Sequence, residues 1–390
     1  MINIKTLPLS PENQLRQIGW DWLLGSETVP YLTHELVAIN QAEAQAYYDA
    51  ANDLYELFVN AAQVIIDENR FDELEIPENL VELIKLSWND DRHLHLYGRF
   101  DLAGGINNQP IKLIEFNADT ATCIPETGII QWAHLKANGL DEAAQFNTLY
   151  ESLVENFEVL RNLNADLSPT LLISAMRYAP EDEANVQVLG EAAREAGFDV
   201  DYAYVDEVDF SPSEGIFRQN PQNGNFERFD FWFKLVPWEY IAWDEPELAD
   251  ILTQAVKNRK VVIINPAYTL LFQSKAILKV LWEMNPNHPL LLETTRQPLI
   301  GKPSVSKVLF GREGANVEIL DAHGKTTEEA AGEYEEQNRI YQEYIEFASD
   351  SAGNRYQAGV FFAGEGCGLG YRRGGKILDN SAQFSGHIVE

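Results

Sequence analysis

The segments HLHLYGRFDLAG (93–104) and PIKLIEFNADTAT (110–122) hold the densest set of residues able to do chemistry. Alternation along the first sets Leu94, Leu96, Phe100 and Leu102 on one face of a strand and His95, Tyr97, Arg99 and Asp101 on the other. The second puts Glu115 and Asn117 on a common face, and the intervening Gly104 to Asn108 suits a hairpin loop, so the two polar faces meet. Asp101, Glu115 and Asn117 then offer only oxygen donors, the hard set that magnesium takes while it also holds phosphate oxygens. Arg99, on the face of Asp101, supplies a fixed positive charge where a transferring phosphoryl group develops negative charge. The same spacing also describes a solvated strand face with one arginine–carboxylate pair, and the pattern does not separate the two.

Further along stand two lysines and two glycine-bearing turns. Lys275 lies near the start of an apolar helix, and Lys307 lies in the strand-like SVSKVLFGREGANVEIL. A lone lysine on either element is as a rule a snorkelling surface residue. Gly311 and Gly314 just beyond Lys307 let a backbone approach phosphates, although a plain turn between two strands explains them equally well. RIYQEYIEF reads as a strand entering a connector, where backbone groups of Gln342, Glu343, Tyr344 and Ile345 can meet an adenine edge between apolar side chains. In GLGYRRGGKILDN, Arg372 and Arg373 sit between glycines, which suits capture of a carboxylate or, alternatively, a solvated hairpin pair.

The elements that must hold these residues follow from periodicity. Spacings of three and four from Glu35 to Glu68 predict a long amphipathic helix with Thr33 as its N-cap. A second helix is predicted after Pro77, through Leu80, Val81, Leu83 and Ile84, closing at Trp88. Between 167 and 266, LSPTLLISA, a helix from Glu181 to Ala196, DVDYAYV, FDFWFKLV and VVIINP alternate as strand and helix, which predicts a Rossmann-like lobe. The stretch from Ser211 to Asn225 reads as a surface loop, and a helix is predicted from Ser274 to Glu283. The expected class is α+β with one α/β lobe.

The bulk properties narrow the partners. In 390 residues, 45% of them hydrophobic, 29 Lys and Arg stand against 61 Asp and Glu, a formal charge of −32. A nucleic acid duplex or an anionic membrane surface would be repelled, so neither is expected as a partner. The acidity suits a cationic substrate such as a polyamine, and suits solubility or salt adaptation as well. Cys123 and Cys367 stand alone, without the spacing of a zinc site or a disulfide framework. No cationic region followed by an apolar core opens the chain, and no stretch reaches the roughly 20 apolar residues of a membrane span, so a cytoplasmic protein is expected. The oligomeric state is not legible.

Taken together, GRFDL, LIEFNADTAT, SKAILKVLWEMNPNHPLLL, GREGANV and the terminal FSGHIVE resemble the glutathionylspermidine synthetase-like family of ATP-grasp ligases, in its short form without a separate amidase domain. The resemblance spans nearly the whole chain. It implies a permuted ATP-grasp synthetase fold over 1–390, with metal and nucleotide parts at 1–150 and 271–390 and a Rossmann-like pre-ATP-grasp lobe at 165–270. It implies ATP and magnesium as cofactors, Asp101, Glu115 and Asn117 as metal ligands, and Arg99 as the stabiliser of the transition state. Lys275, Lys307, the loop from Gly311 to Gly314, the hinge from Gln342 to Ile345, and Ile377 are similar to the family's nucleotide contacts. Thr120, Glu181, Asp182 and Arg372 resemble its substrate contacts. The implied reaction joins a small-molecule carboxylate, such as glutathione, to an amine through an acyl phosphate. Two other readings stay open: a non-catalytic nucleotide-binding regulator, and a peptide ligase that uses an amino acid.

Overall fold

The computed structural model describes residues 1–26 and 30–390. At its centre, strands Gln383–Ser385, Gly366–Gly374, Arg355–Phe362, Gly98–Ala103 and Lys112–Asn117 lie side by side in that order, all antiparallel, with Ala348–Ser349 added on Arg355–Phe362. The long helix Gln41–Asp67 packs on one face. It buries Tyr47, Ala50, Leu54, Phe58, Ala61 and Ile65, the i, i+3, i+4 stripe that its sequence spells out. Phe58 meets the hairpin rings Phe100 and Phe116 at 5.9 and 5.1 Å, and those two rings stack on each other at 3.8 Å. Burying this apolar side fixes the register and turns the alternate residues of the hairpin away from the helix.

The long helix begins later than its spacing predicts. Glu35–Ile39 is a strand, antiparallel to Asn3–Thr6 and parallel to His387–Val389. The cap is Asn40, whose side chain accepts from the Glu43 N–H at 3.0 Å while Glu43 returns a bond to the Asn40 N–H at 2.9 Å. Thr33 caps nothing and instead donates to the Glu35 carbonyl. Leu36, Val37, Ala38 and Ile39 are all buried, and a short apolar run continues a helical spacing as readily as it forms a buried strand. The Asn-x-x-Glu capping box was the better boundary signal. The helix after Pro77 spans Glu78–Trp88 as expected.

In the middle third, Val262–Ile264, Phe231–Lys234, Thr170–Ala175 and Asp199–Tyr204 form a four-stranded sheet, parallel throughout, with helices Pro180–Glu195 and Pro246–Lys257 in the connections. The stretch expected as one surface loop is partly strand: Gly215–Gln219 pairs with Val208–Ser211 and Phe226–Phe229. Its Ile216 and Phe217 are a strand signal too short to stand out among turn residues.

The helix expected from Ser274 to Glu283 starts later, as Ile277–Met284, and a separate short helix, Thr269–Gln273, precedes it. Ser274 between them is extended, and the Lys275 N–H donates to the Leu309 carbonyl at 3.0 Å. A fifth group of strands, Thr294–Thr295, Arg339–Glu343, Ser304–Val308, Val317–Leu320 and Thr326–Ala330, forms an antiparallel sheet in that order. No described helix is long and apolar enough to cross a membrane.

Candidate active site

The hairpin delivers its polar residues as a set. Arg99 lies opposite Asn117 and Asp101 opposite Glu115, so all four share one face. That face is not solvated strand surface: every residue of Gly98–Ala103 is buried, and the four line one cavity of about 970 Å³. The strand starts only at Gly98, so His95 and Tyr97 do not join them. His95 stacks on Tyr55 and bonds the Ala118 carbonyl at 2.9 Å, while Tyr97 donates to the Ala121 carbonyl.

Arg99 holds Asp101 through two bonds, Nε to Oδ1 at 2.7 Å and Nη2 to Oδ2 at 3.1 Å, and reaches the Thr122 carbonyl with Nη1. Burial works against its charge, and Asp101 overcomes this, so the guanidinium is held above its ordinary pKa. The Asn117 amide donates to the same carboxylate at 3.1 Å. Glu115 lies 3.3 Å from the Lys275 ammonium. Burial pushes the Glu115 carboxyl up, but Lys275, Lys307 and Arg99 together hold it below the usual range.

Lys307 arrives from strand Ser304–Val308, bonding Gln342 Oε1 at 2.9 Å and the Ile114 carbonyl at 3.2 Å. Burial first, and then Lys275, pull its ammonium down to about 8, against the pull of Glu115 and Asp101. Lys275 Nζ donates to the Gly311 carbonyl at 2.6 Å. Neither lysine is the snorkelling surface residue its lone occurrence suggests, since both are buried and line the cavity.

The other expected residues also gather there: Thr120, Glu181, Asp182, Gly311, Gly314, Gln342, Glu343, Ile345, Arg372 and Ile377 line the same cavity. Tyr344 is not in its wall, and its hydroxyl lies near Arg355. The N–H groups of Glu343 and Tyr344 are already bonded to the Glu293 and Pro303 carbonyls, so these two are not free to meet the adenine edge expected of this segment. Arg373, the neighbour of Arg372, pairs instead with Glu35 at 2.6 Å.

At the mouth, burial first, then Glu181 and Glu313, push the Asp182 carboxyl up to about 6. Loop residue Gly314 needs its lack of a side chain: its φ is +71°, and a Cβ there would sit 2.5 Å from the Leu378 carbonyl oxygen.

Several residues of the wall, and Glu239 behind it, have no counterpart in the sequence expectations. Tyr31 donates to Glu126 at 2.8 Å, beside Cys123. Arg312 donates to Thr120 Oγ1 at 3.0 Å and to Glu239 at 2.5 Å. Arg312 stands inside the glycine motif, so its position could have been found; nothing local marks Glu126 or Glu239.

The protein groups fit a hard divalent cation by donor chemistry. Asp101 and Glu115 contribute carboxylates and Asn117 an amide oxygen, and among the described residues no three His, Cys, Asp or Glu gather into a metal cluster, here or at another place. Two carboxylates with an amide leave most of a magnesium shell to phosphate and water, the usual division in phosphoryl-transfer sites.

Comparison with known proteins agrees with this chemistry. The family described as "Glutathionylspermidine synthase preATP-grasp" matches residues 3–390. A Haemophilus influenzae protein assigned as an acid–amine ligase is 29% identical over 99% of both chains. The bifunctional glutathionylspermidine synthetase/amidase of Escherichia coli is 25% identical over 82% of this chain, and the trypanothione synthetase of Crithidia fasciculata is 26% identical over 74%. The matches span 55% and 46% of those two longer proteins. A glutathione synthetase-like effector from Globodera pallida shares the fold, with a TM-score of 0.55 over 99% of this chain and 100% of its own, at 11% identity.

Proposed function

Since the chain belongs to the glutathionylspermidine synthase preATP-grasp family, we propose that it joins the carboxylate of a peptide such as glutathione to a polyamine or another amine, at the expense of ATP. The observation that carries the reading is the meeting of Arg99, Asp101, Glu115 and Asn117 with Lys275 and Lys307 in one cavity, from separate elements. A cluster of oxygen donors faced by fixed cations is what phosphoryl transfer demands, because the chemistry is mostly positioning and charge stabilisation.

In this reading, a substrate carboxylate oxygen attacks the γ-phosphorus of ATP, the bond to the bridging oxygen breaks, and ADP leaves. The amine then attacks the acyl carbon, the bond to the phosphate oxygen breaks, and phosphate leaves with an amide formed. Magnesium held by Asp101, Glu115 and Asn117 would neutralise phosphate charge. Lys275 and Lys307 bind phosphate oxygens, and Arg99 offsets charge on the group in transfer.

Arg372 grips a carboxylate of the donor beside Thr120. Glu181 and Asp182 attract the protonated amine and accept a proton as it becomes nucleophilic. The loop from Gly311 to Gly314 covers the phosphates and keeps water from the activated acyl group. The backbone from Gln342 to Ile345, with Ile377, receives the adenine. We read 165–270 as a Rossmann-like pre-ATP-grasp lobe, and 1–150 with 271–390 as the metal and nucleotide parts of a permuted ATP-grasp fold.

ADP release with magnesium and ATP, across a matrix of carboxylates including glutathione and amines including spermidine and amino acids, tests this. Release that needs both a carboxylate and an amine is the expected result. Nucleotide binding without release across the matrix favours the non-catalytic regulator, dependence on an amino acid favours the peptide ligase, and no nucleotide binding overturns the reading.

A further inference from the structure

The helix Trp238–Asp244 follows the parallel-sheet strand Phe231–Lys234 and faces the glycine loop. Its first turn is fixed from outside. Asp119 Oδ2 accepts the Trp238 N–H at 3.0 Å, and the same carboxylate pairs with Lys234 at 3.0 Å, both side chains being fully buried. The next residue, Glu239, is 0% exposed, and its Oε1 takes Arg312 Nη2 at 2.5 Å. A buried carboxylate needs a cation, and here the cation is supplied by the loop. Burial works against the Arg312 charge, and Glu239 more than offsets it, so the guanidinium pKa stands above its ordinary value.

Two atoms of this pair are unsatisfied. Glu239 Oε2 and Arg312 Nε are both buried without a partner. One is an acceptor and the other a donor, on two groups already joined by one bond, so they stand one hydrogen bond short of the bidentate fork that arginine and carboxylate favour. Other ties hold the loop from its own side: Lys275 on the Gly311 carbonyl, Gln337 on the Phe310 N–H, and Asn380 on Glu313. Across to the helix of the other lobe run Phe310 against the Trp243 ring at 5.4 Å, Arg312 over the Tyr240 ring at 5.7 Å, and the bond to Glu239, which is the one charge pair among these three.

We propose that Glu239 is a positioning residue, which acts through Arg312 to dock the glycine loop against the parallel-sheet lobe and so sets how far the loop stands closed. The docking rests on the geometry of the free protein. Its consequence, shielding of an activated acyl group from water, rests on the ligase reading.

Hydrogen exchange of the free protein, with no nucleotide, separates the two. In Glu239→Gln the amides from Arg312 to Asn316 should exchange about tenfold faster or more, because a buried charge has lost its partner. Amides of strands Ser304–Val308 and Phe231–Lys234 should keep their wild-type rates, whereas a merely structural role would raise exchange through the helix and its strand. Arg312→Gln, which changes no residue of the parallel-sheet lobe but takes the cation from Glu239, should release the same amides, and the double variant should be no faster than the faster single one. Unchanged loop exchange in Arg312→Gln, or additive effects in the double variant, would overturn the proposal. So would release that spreads evenly over the sheet in Glu239→Gln. None of these results depends on the protein being a ligase, which the ADP assay decides separately.

Discussion

Lys307 carries a charge that pH can remove within an accessible range. With its ammonium pulled down to about 8 by burial and by Lys275, it is protonated at pH 7 and mostly neutral at pH 9. A phosphate ligand favours the charged form, so nucleotide affinity should fall as pH rises through 8. In Lys307→Arg, whose guanidinium does not titrate there, that slope should disappear, as fluorescence titrations with a nucleotide between pH 6.5 and 9.5 can show. An unchanged slope would mean that another group titrates.

Asp182 has the opposite sign. Its folded pKa of about 6 stands above the ordinary value of an unfolded aspartate, about 3.9, so the folded protein holds the proton more tightly and loses stability as pH rises through 6. Asp182→Asn should therefore be more stable than wild type at pH 8, by about 1–2 kcal/mol after allowance for its partial exposure. The gain should shrink as pH falls through 6 and vanish below about 4, as urea unfolding at several pH values would report. A stabilising substitution that weakens amine use is what a charge kept for function predicts.

Elements decide how such residues come together, and they were unequally legible. The hairpin could be read because its period of two coincides with apolar packing on one side: Phe100 and Phe116 face the helix, and Arg99, Asp101, Glu115 and Asn117 take the other side. The alternation of strand and helix from Thr170 to Ile264 was visible for another reason, since three of its four strands, Thr170–Ala175, Phe231–Lys234 and Val262–Ile264, are compact apolar runs buried in a parallel sheet. What failed was local. Glu35–Ile39 read as helix because four consecutive apolar residues fit either period, and the helix expected from Ser274 starts only at Ile277 because a tertiary bond, from the Lys275 N–H to the Leu309 carbonyl, sets the backbone there.

The glycine loop lies between these cases, since its glycines mark it but their reasons differ. A Cβ on Gly311 would press on Val308 Cγ2, a side chain that can turn, whereas one on Gly314 would strike a backbone carbonyl at a φ of +71°. Gly314→Ala should thus weaken nucleotide binding by about tenfold, for a strain of about 1–2 kcal/mol, and Gly311→Ala should weaken it less. Titrating both variants with one nucleotide gives the ratio directly, and equal losses would remove the backbone argument.

At the scale of the whole molecule, the cavity belongs to no single sheet. The central sheet gives the carboxylates, the antiparallel sheet of Ser304–Val308 gives Lys307, and the parallel sheet opens onto it through Asp182 and Pro237. Buried links run beneath it. Lys234 meets Asp119, and Asn265 bonds the Leu96 N–H and the carbonyls of Tyr97 and Asp119. A net charge of −32 on one chain is self-repelling, and these links oppose it together with an apolar core that runs on from Phe58 and Phe100 to Trp232 and Ile263.

A magnesium complex of a non-hydrolysable ATP analogue, at 100 times its dissociation constant, adds about 2.7 kcal/mol to whichever unit it binds. If the lobes unfold as one, a calorimetric scan of the wild type should show one transition that moves up as a whole with the analogue. Lys234→Met leaves Asp119 buried without its cation, a loss of about 3–5 kcal/mol at the joint. Its scan should split, with the analogue raising only the transition of the part that holds Lys275 and Lys307. Glu115→Gln should keep the single transition and lose the shift. A split already present in the wild type would mean that these buried links do not couple the lobes.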